Sequence, residues 1–320
     1  MNIDLIHRTI KSLETGDDIL CFYMVKMFEV KTTAAGAKYI NLTLSDATGE
    51  MNAKLWDAPD PLVAQLHVGA LVRVMAKVIE YQGGLQMKLE KIRLAKPEDN
   101  VNAAEFVPVA PFPPEEMYSY LLNTANGFKN ESLRKITVKI LEDNKQKLLY
   151  FPAAKKNHHA IRSGLLYHTS TMLKTAHKVC EVYDFLNREL LFAGVILHDM
   201  AKMEEMQSNE LGIVEDYSIE GNLIGHLVKG AMNISKIGEE VGADKEIIML
   251  LSHMILSHHY EPEFGSPKYP CTPEAEMLHH LDMIDARMFD MKKIMEETAP
   301  GSFSEKIWSL DGRQIYKGKK

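Results

Sequence analysis

Apolar and polar positions change their rhythm partway along the chain. Residues 19–30 (ILCFYMVKMFEV) are rich in aromatic and branched side chains. In 38–46 (KYINLTLSD), Tyr39, Asn41, Thr43 and Ser45 alternate with Ile40, Leu42 and Leu44, the period of two that marks a half-buried strand. The turn DATGE leads into MNAKLWD. The short segment PLVAQLHVG follows, and then ALVRVMAKVIEY and LQMKLEKIRLA, joined at Gly83-Gly84. Later, in EEMYSYLLNTA and SLRKITVKILEDNKQKLL, apolar residues fall three and four apart, the spacing of helices.

Five strands with a short helix between the third and fourth is the plan of an OB-fold, a small barrel; another small barrel or sandwich would satisfy the same strand count. Five prolines between Pro97 and Pro114 (Pro97, Pro108, Pro111, Pro113 and Pro114) preclude a central strand or helix there and predict a linker. The expected fold class is therefore multidomain, with a five-stranded OB-like β-barrel followed by an all-α domain. The expected boundaries are a helical extension over 1–17, the barrel over 18–96, the linker over 97–114, the helical domain over 115–300 and a tail over 301–320. That tail carries four basic residues in GRQIYKGKK and is expected to be mobile, with Trp308 docking it.

Composition narrows the function classes. At roughly 100–200 residues per domain, 320 residues suit two domains. With 46% hydrophobic and 25% charged residues, disorder of the whole chain is excluded. No apolar run approaches the ~18 residues of a membrane span, and the first residues lack a signal-peptide core. Three cysteines without a CxxC exclude a disulfide scaffold and a cysteine zinc knuckle, so a reducing cytoplasm is expected. The net charge of −7 argues against coating nucleic acid by bulk charge, though not against a local groove. Residues 18–96 hold ten Lys/Arg and eight Asp/Glu, a balance of +2 that leaves −9 for the remainder.

Histidine points to the second half: eleven of the thirteen lie after residue 150. In GLLYHTSTMLKTAHKV, His168 and His177 are nine residues apart. At ~100° per residue they point to different sides of a helix and cannot share a site. LLFAGVILHDMAK is apolar almost all round, so a helix there is buried. His198 and Asp199 close it, and a buried carboxylate beside a buried imidazole is costly unless compensated, most simply by a divalent cation. Lys202, three residues on, is placed to reach an anionic oxygen nearby. His226 lies between Gly225 and Gly230. His258 continues the inward stripe of Leu251, Met254 and Ile255, whereas His253 points elsewhere. Asp282 follows Leu278 by four residues and Asp285 lies one turn further, so periodicity leaves both open.

The order H…HD…H…H…D on successive helices resembles the HD-domain metal-dependent phosphohydrolases. With a barrel in front, the chain looks like the YhaM family of bacterial 3′-to-5′ exoribonucleases. The stretches that carry this are FPAAKKNHHAIRSGLLYHTS, ILHDMAK, GHLVKG and ILSHHYEPEFGSPKYPCTPEAEMLHHLDMIDAR. No GYP follows the HD pair, which separates the chain from the HD-GYP cyclic-dinucleotide phosphodiesterases. The resemblance implies that Asp282 is the terminal ligand and Asp285 is structural. It implies one cation on His168, His198, Asp199 and Asp282, and a second on His226 and His258, with Asp199 bridging and His259 as an additional ligand. Nitrogen and carboxylate donors without thiolate suit manganese, cobalt, iron or zinc, and affinity order does not decide among them; manganese is the expected ion. The implied reaction is hydrolysis of single-stranded RNA, with single-stranded DNA as a further substrate, to nucleoside 5′-monophosphates. The nucleophile is a metal-activated hydroxide, and Lys202 neutralises phosphoryl charge.

OB-folds grip single strands on the second and third strands and neighbouring loops, with aromatic side chains under the bases. Tyr39, Lys54, Trp56, Tyr81 and Lys88 are the candidates, although Trp56 fits the barrel core equally well. His158, His159, His279 and His280 are expected outside the ligand set. No membrane partner is expected, and a homo-oligomer remains open. The competing functions are an HD phosphohydrolase of small nucleotides with a regulatory barrel, and a non-catalytic regulator that holds nucleic acid on the barrel.

Overall fold

A computed structural model describes residues 8–32, 36, 38–56, 60–155 and 159–319. It comprises two compact units, residues 1–109 and 110–320. The first unit is built on five strands: β1 (Asp18–Thr32), β2 (Lys38–Asp46), β3 (Gly49–Trp56), β4 (Leu71–Tyr81) and β5 (Gly84–Leu94). They close into a barrel in the order β1-β2-β3-β5-β4, with β3 and β5 parallel and the other neighbours antiparallel. A one-turn helix, α1 (Asp60–Val63), sits between β3 and β4.

Alternation sets the barrel's inside and outside. Ile40, Leu42 and Leu44 of β2 are fully buried, and Ala53, Val72, Val74, Val78 and Met87 fill the same core. β1 pairs with β2 and with β4, and the register shift between Val25 and Met27 lets one long strand bend around to do both. Residues 1–7 of the expected N-terminal extension lie outside the described residues. Its remainder carries one 3₁₀ turn at Ile10–Ser12, which sends Ile10 and Leu13 into the barrel core. The proline-rich stretch holds two more 3₁₀ turns, Pro97–Asp99 and Ala103–Phe106, the second packed on β1 and β2.

The second unit is helical: α2 (Pro114–Asn126), α3 (Glu131–Leu148), α4 (Gly164–Val182), α5 (Arg188–Leu197), α6 (Lys202–Glu205), α7 (Ile219–Glu240), α8 (Lys245–Ser257) and α9 (Pro273–Glu297). A short ribbon of β6 (Met206–Ser208) and β7 (Val214–Tyr217) interrupts the helices that the pattern predicts. α5 is buried from Leu190 to Leu197 and forms the centre. It packs against α3, α4, α8 and α9. No helix among the described residues is long and apolar enough to cross a membrane.

Two expectations for the C-terminus are overturned. The tail is a folded hairpin in which Phe303 bridges to Tyr316 and Ile307 to Arg313, with Gly301 N–H donating to Lys317 O and Ser304 N–H to Ile315 O. Trp308 does not dock it, being 91% exposed, and Leu310, fully buried, is the anchor instead. The two share one 3₁₀ turn, Trp308–Leu310, and only the leucine of that turn faces inward.

Candidate metal centre

The ends of three helices, a break in a fourth and the interior of a fifth bring the predicted histidines and aspartates together. His168 lies in the second turn of α4, which starts at Gly164. His198 and Asp199 follow the end of α5, His258 follows the end of α8, and Asp282 lies within α9. His226 is delivered by a break in α7. Gly225 there has φ 73° and ψ 161°, a conformation that a side chain resists. At the break the His226 amide donates to Glu205 Oε1 at 3.1 Å.

Five imidazoles share one hydrogen-bonding scheme. His198 Nδ1 lies 2.8 Å from the carbonyl of Val195, His258 Nδ1 2.8 Å from Ile255 O and His259 Nδ1 2.8 Å from Phe264 O. His226 Nδ1 is 3.0 Å from each carboxylate oxygen of Glu205, and His168 Nδ1 is 2.8 Å from Asp285 Oδ2. Each partner can only accept, so each Nδ1 carries the proton and donates it. Every Nε2 is thereby turned toward the interior of the site.

Those atoms converge. His168 Nε2 is 3.2 Å from His198 Nε2, 3.3 Å from Asp282 Oδ1 and 3.8 Å from Asp199 Oδ2. Asp199 Oδ1 is 3.6 Å from His226 Nε2 and 3.8 Å from His258 Nε2. Asp199 Oδ1, His226 Nε2 and His258 Nε2 are buried and make no hydrogen bond. Buried polar atoms are nearly always satisfied, and three orphans aimed at one spot fit the donors of a cation. Ligand atoms within 4.8 Å of one another group as His168–His198–Asp282, His198–Asp199–His258 and His226–His258–His259, with His159–His168–Asp285 as a fourth group behind His168. The set is all nitrogen and carboxylate and suits a divalent metal.

The electrostatics are those of a site balanced for positive charge. Burial opposes ionisation of Asp199, but His198 and Lys202 beside it hold its carboxyl well below the ordinary range. Asp282 behaves likewise: burial opposes its charge, and the His168 hydrogen bond prevails. Burial, with His259 and His198 alongside, keeps His258 neutral. Burial also opposes the charged form of His168, but the hydrogen bonds to Asp282 and Asp285 outweigh it and push His168 up to about 10. Lys202 Nζ donates to Asp199 Oδ2 at 2.7 Å; burial disfavours its charge, and Asp199 restores it.

Three further groups complete the arrangement, of which sequence patterns passed over only Glu205. Glu205 orients His226. Asp285, left open with Asp282 by periodicity, accepts from His168 on the side away from Asp282. His159, expected outside the ligand set, is buried and lies 2.8 Å from the same Asp285 oxygen. His279 Nδ1 donates to the carbonyl of His258 (2.8 Å), whereas His280 is exposed beside Glu276. His158 lies outside the described residues. His177 packs on Phe192, and His253 Nε2 accepts from Cys271 N–H, both away from the cluster.

On the barrel, Tyr39, Lys54 and Tyr81 line one concavity together with Lys31, Asn41, Asn52 and Gln86. Trp56 is 46% exposed, on the outside of the barrel, and its ring stacks on Tyr39 with centroids 4.8 Å apart. Lys54 Nζ stands 4.8 Å over the Tyr81 ring. Lys88 is exposed beyond the lining, opposite Lys54 in the β3–β5 ladder. The floor is a chain of amides that sequence patterns did not reveal: Gln86 donates to Asn52, and Asn52 donates to Asn41 (3.0 Å).

Comparison with known proteins gives matches over both units. A model described as an OB-fold nucleic acid binding domain matches residues 27–95, and one described as an HD domain matches residues 165–287. A protein of Listeria innocua named 3′-5′ exoribonuclease YhaM is 38% identical over 303 residues, 95% of this chain and 96% of its own. A protein of Bacillus subtilis with the same name is 36% identical over 304 residues, 95% of this chain and 96% of its own.

Proposed function

The chain belongs to the YhaM family of 3′-5′ exoribonucleases, and from that premise we propose that it shortens single-stranded RNA from the 3′ end by metal-dependent hydrolysis, releasing nucleoside 5′-monophosphates. The observation that carries the reading is the convergence of five Nε2 atoms and two aspartates in one buried site. A regulator that merely held nucleic acid on the barrel would have no use for it.

In this reading His168, His198, Asp199 and Asp282 would hold one ion, and His226, His258 and His259, with Asp199, would hold a second. Manganese is the ion we assign. Such ions supply Lewis acidity toward a phosphodiester and lower the pKa of a water molecule. The protein's own contribution is orientation and charge. Asp285 and Glu205 fix the rings of His168 and His226, and backbone carbonyls fix those of His198, His258 and His259. Lys202 keeps its charge through Asp199 and has N–H groups left to donate to an anionic phosphoryl oxygen. On the barrel, Tyr39, Trp56 and Tyr81 offer ring faces to bases, with Lys54 and Lys88 beside them for phosphates. We assign the protein to the cytoplasm, and we count single-stranded DNA as a second substrate.

Purified protein incubated with 5′-labelled single-stranded RNA and Mn²⁺ tests the reading. A ladder shortening from the 3′ end with release of 5′-monophosphates is expected. Faster cleavage of mononucleotide esters than of oligomers would favour a small-nucleotide phosphohydrolase, and a shifted but intact band would favour a binding protein.

Two further outcomes are expected. The first concerns protons. His168 is held at about 10 in the metal-free site, so a proton must leave it when an ion binds. A raised folded-state value favours the fold below the ordinary histidine range, and that contribution is lost as pH rises through about 10. Acidification below about 10 therefore weakens metal affinity, by up to about tenfold per pH unit for one proton. Calorimetry at pH 8 in buffers of different ionisation enthalpy is expected to show about one proton released at this group; none would contradict the assignment. The second concerns the barrel. Trp56→Ala is expected to weaken RNA binding roughly tenfold, the scale of one lost base stack. Fluorescence anisotropy with labelled RNA in EDTA checks this, and an unchanged Kd would remove Trp56 from the interface.

A further inference from the structure

The C-terminal hairpin carries a feature that neither the barrel nor the metal site explains. It is anchored on α9. Leu310 is fully buried, Asp311 Oδ2 lies 3.3 Å from Arg287 Nη2 of α9, and Lys317 Nζ donates to the carbonyl of Met295 near the end of the same helix. The hairpin also presents Trp308 at 91% exposure, Phe303 at 64% and Tyr316 at 48%. The Phe303 and Tyr316 rings lie against each other with centroids 5.0 Å apart. Tryptophan is highly buried on average, and large aromatics held outward on an anchored element mark an interaction site.

Charge indicates what the surface receives. Residues 301–320 hold five basic residues, Lys306, Arg313, Lys317, Lys319 and Lys320, against Glu305 and Asp311. The balance is +3, which leaves −10 for the rest of the chain. Asp311 is shared between Arg287 and Arg313, each at 3.3 Å, so the paired acid does not cancel the surplus. Ring faces set among Lys and Arg form a platform for single-stranded nucleic acid. A symmetric pairing of two such hairpins would instead set +3 against +3.

We propose that this hairpin is a second RNA contact, located on the catalytic unit, with Trp308 stacking a base and Lys306 and Arg313 meeting adjacent phosphates. The proposal rests on the exoribonuclease reading and adds a substrate contact outside the barrel.

The chain has two tryptophans, which makes the test separable. The full-length W56F variant leaves Trp308 as the fluorophore, and W308F leaves Trp56. Each is titrated with a decameric oligouridylate in EDTA, and Kd is measured for W308A. Quenching in both variants, with Kd raised about fivefold or more in W308A, is the expected result. Quenching of Trp56 alone, with W308A binding normally, would overturn the hairpin contact and leave the exoribonuclease reading intact. No quenching in either variant would overturn the hairpin contact and remove Trp56 from the interface, while the RNA ladder with Mn²⁺ decides the exoribonuclease reading separately. A lower mass for W308A than for the unsubstituted protein by light scattering, with Kd unchanged, would make the hairpin an interface between copies and overturn the proposal.

Discussion

Asp199→Ala is expected to abolish RNA shortening, by at least about 10³-fold, while RNA still binds the barrel. The reason is the use of both carboxylate oxygens. Oδ2 faces His198 and Lys202, at 3.2 and 2.7 Å, and Oδ1 faces His226 and His258, at 3.6 and 3.8 Å. One substitution therefore removes a donor from both ligand groups. It also leaves the Lys202 ammonium, 13% exposed, without its counter-ion. Asp199→Asn keeps the shape and separates loss of charge from loss of packing. Turnover of end-labelled RNA, with binding measured alongside, checks both variants. Hydrolysis at an undiminished rate would remove Asp199 from the chemistry.

His258→Ala is expected to divide the site rather than erase it. His258 belongs to the groups with His226 and His259 and with His198 and Asp199, but not to the group of His168, His198 and Asp282. Its loss is expected to lower bound manganese from two ions per chain to one, and kcat by about 10²-fold or more. Elemental analysis after dialysis, paired with single-turnover kinetics, measures both quantities. Two ions retained in the variant would contradict the assignment of the second ion to the imidazole-rich side.

Much of this site is legible in the amino-acid sequence, for physical reasons that differ from residue to residue. His198 and Asp199 stand out because they close an otherwise apolar helix, where an uncompensated charge would be prohibitive. His258 stands out because it extends a buried stripe. The barrel is legible because its strands alternate cleanly, with Ile40, Leu42 and Leu44 all inward.

Other residues cannot be read that way. Glu205 sits beside Glu204 in a four-residue helix. Glu205 clamps His226, whereas Glu204 meets Lys229 at 3.2 Å, and no periodicity in so short a segment distinguishes them. Asp285 and Asp282 lie three residues apart on one side of α9, and both reach His168, but at opposite nitrogens. Which nitrogen each meets depends on the approach of α4, which is tertiary information. The amide chain of Asn41, Asn52 and Gln86 crosses three strands, and its existence follows from register rather than from any one strand. Trp308 misleads because burial is the common fate of tryptophan, and the hairpin finds its anchor in Leu310.

The chemistry centres on a site that gathers cations around Asp199. Diffraction from crystals grown with Mn²⁺, recorded for anomalous scattering near the manganese edge, tests it most directly. Two peaks are expected, one among His168, His198 and Asp282 and one among His226, His258 and His259, both beside Asp199. An anomalous map with no peak there, while the protein shortens RNA in the same solution, would contradict it.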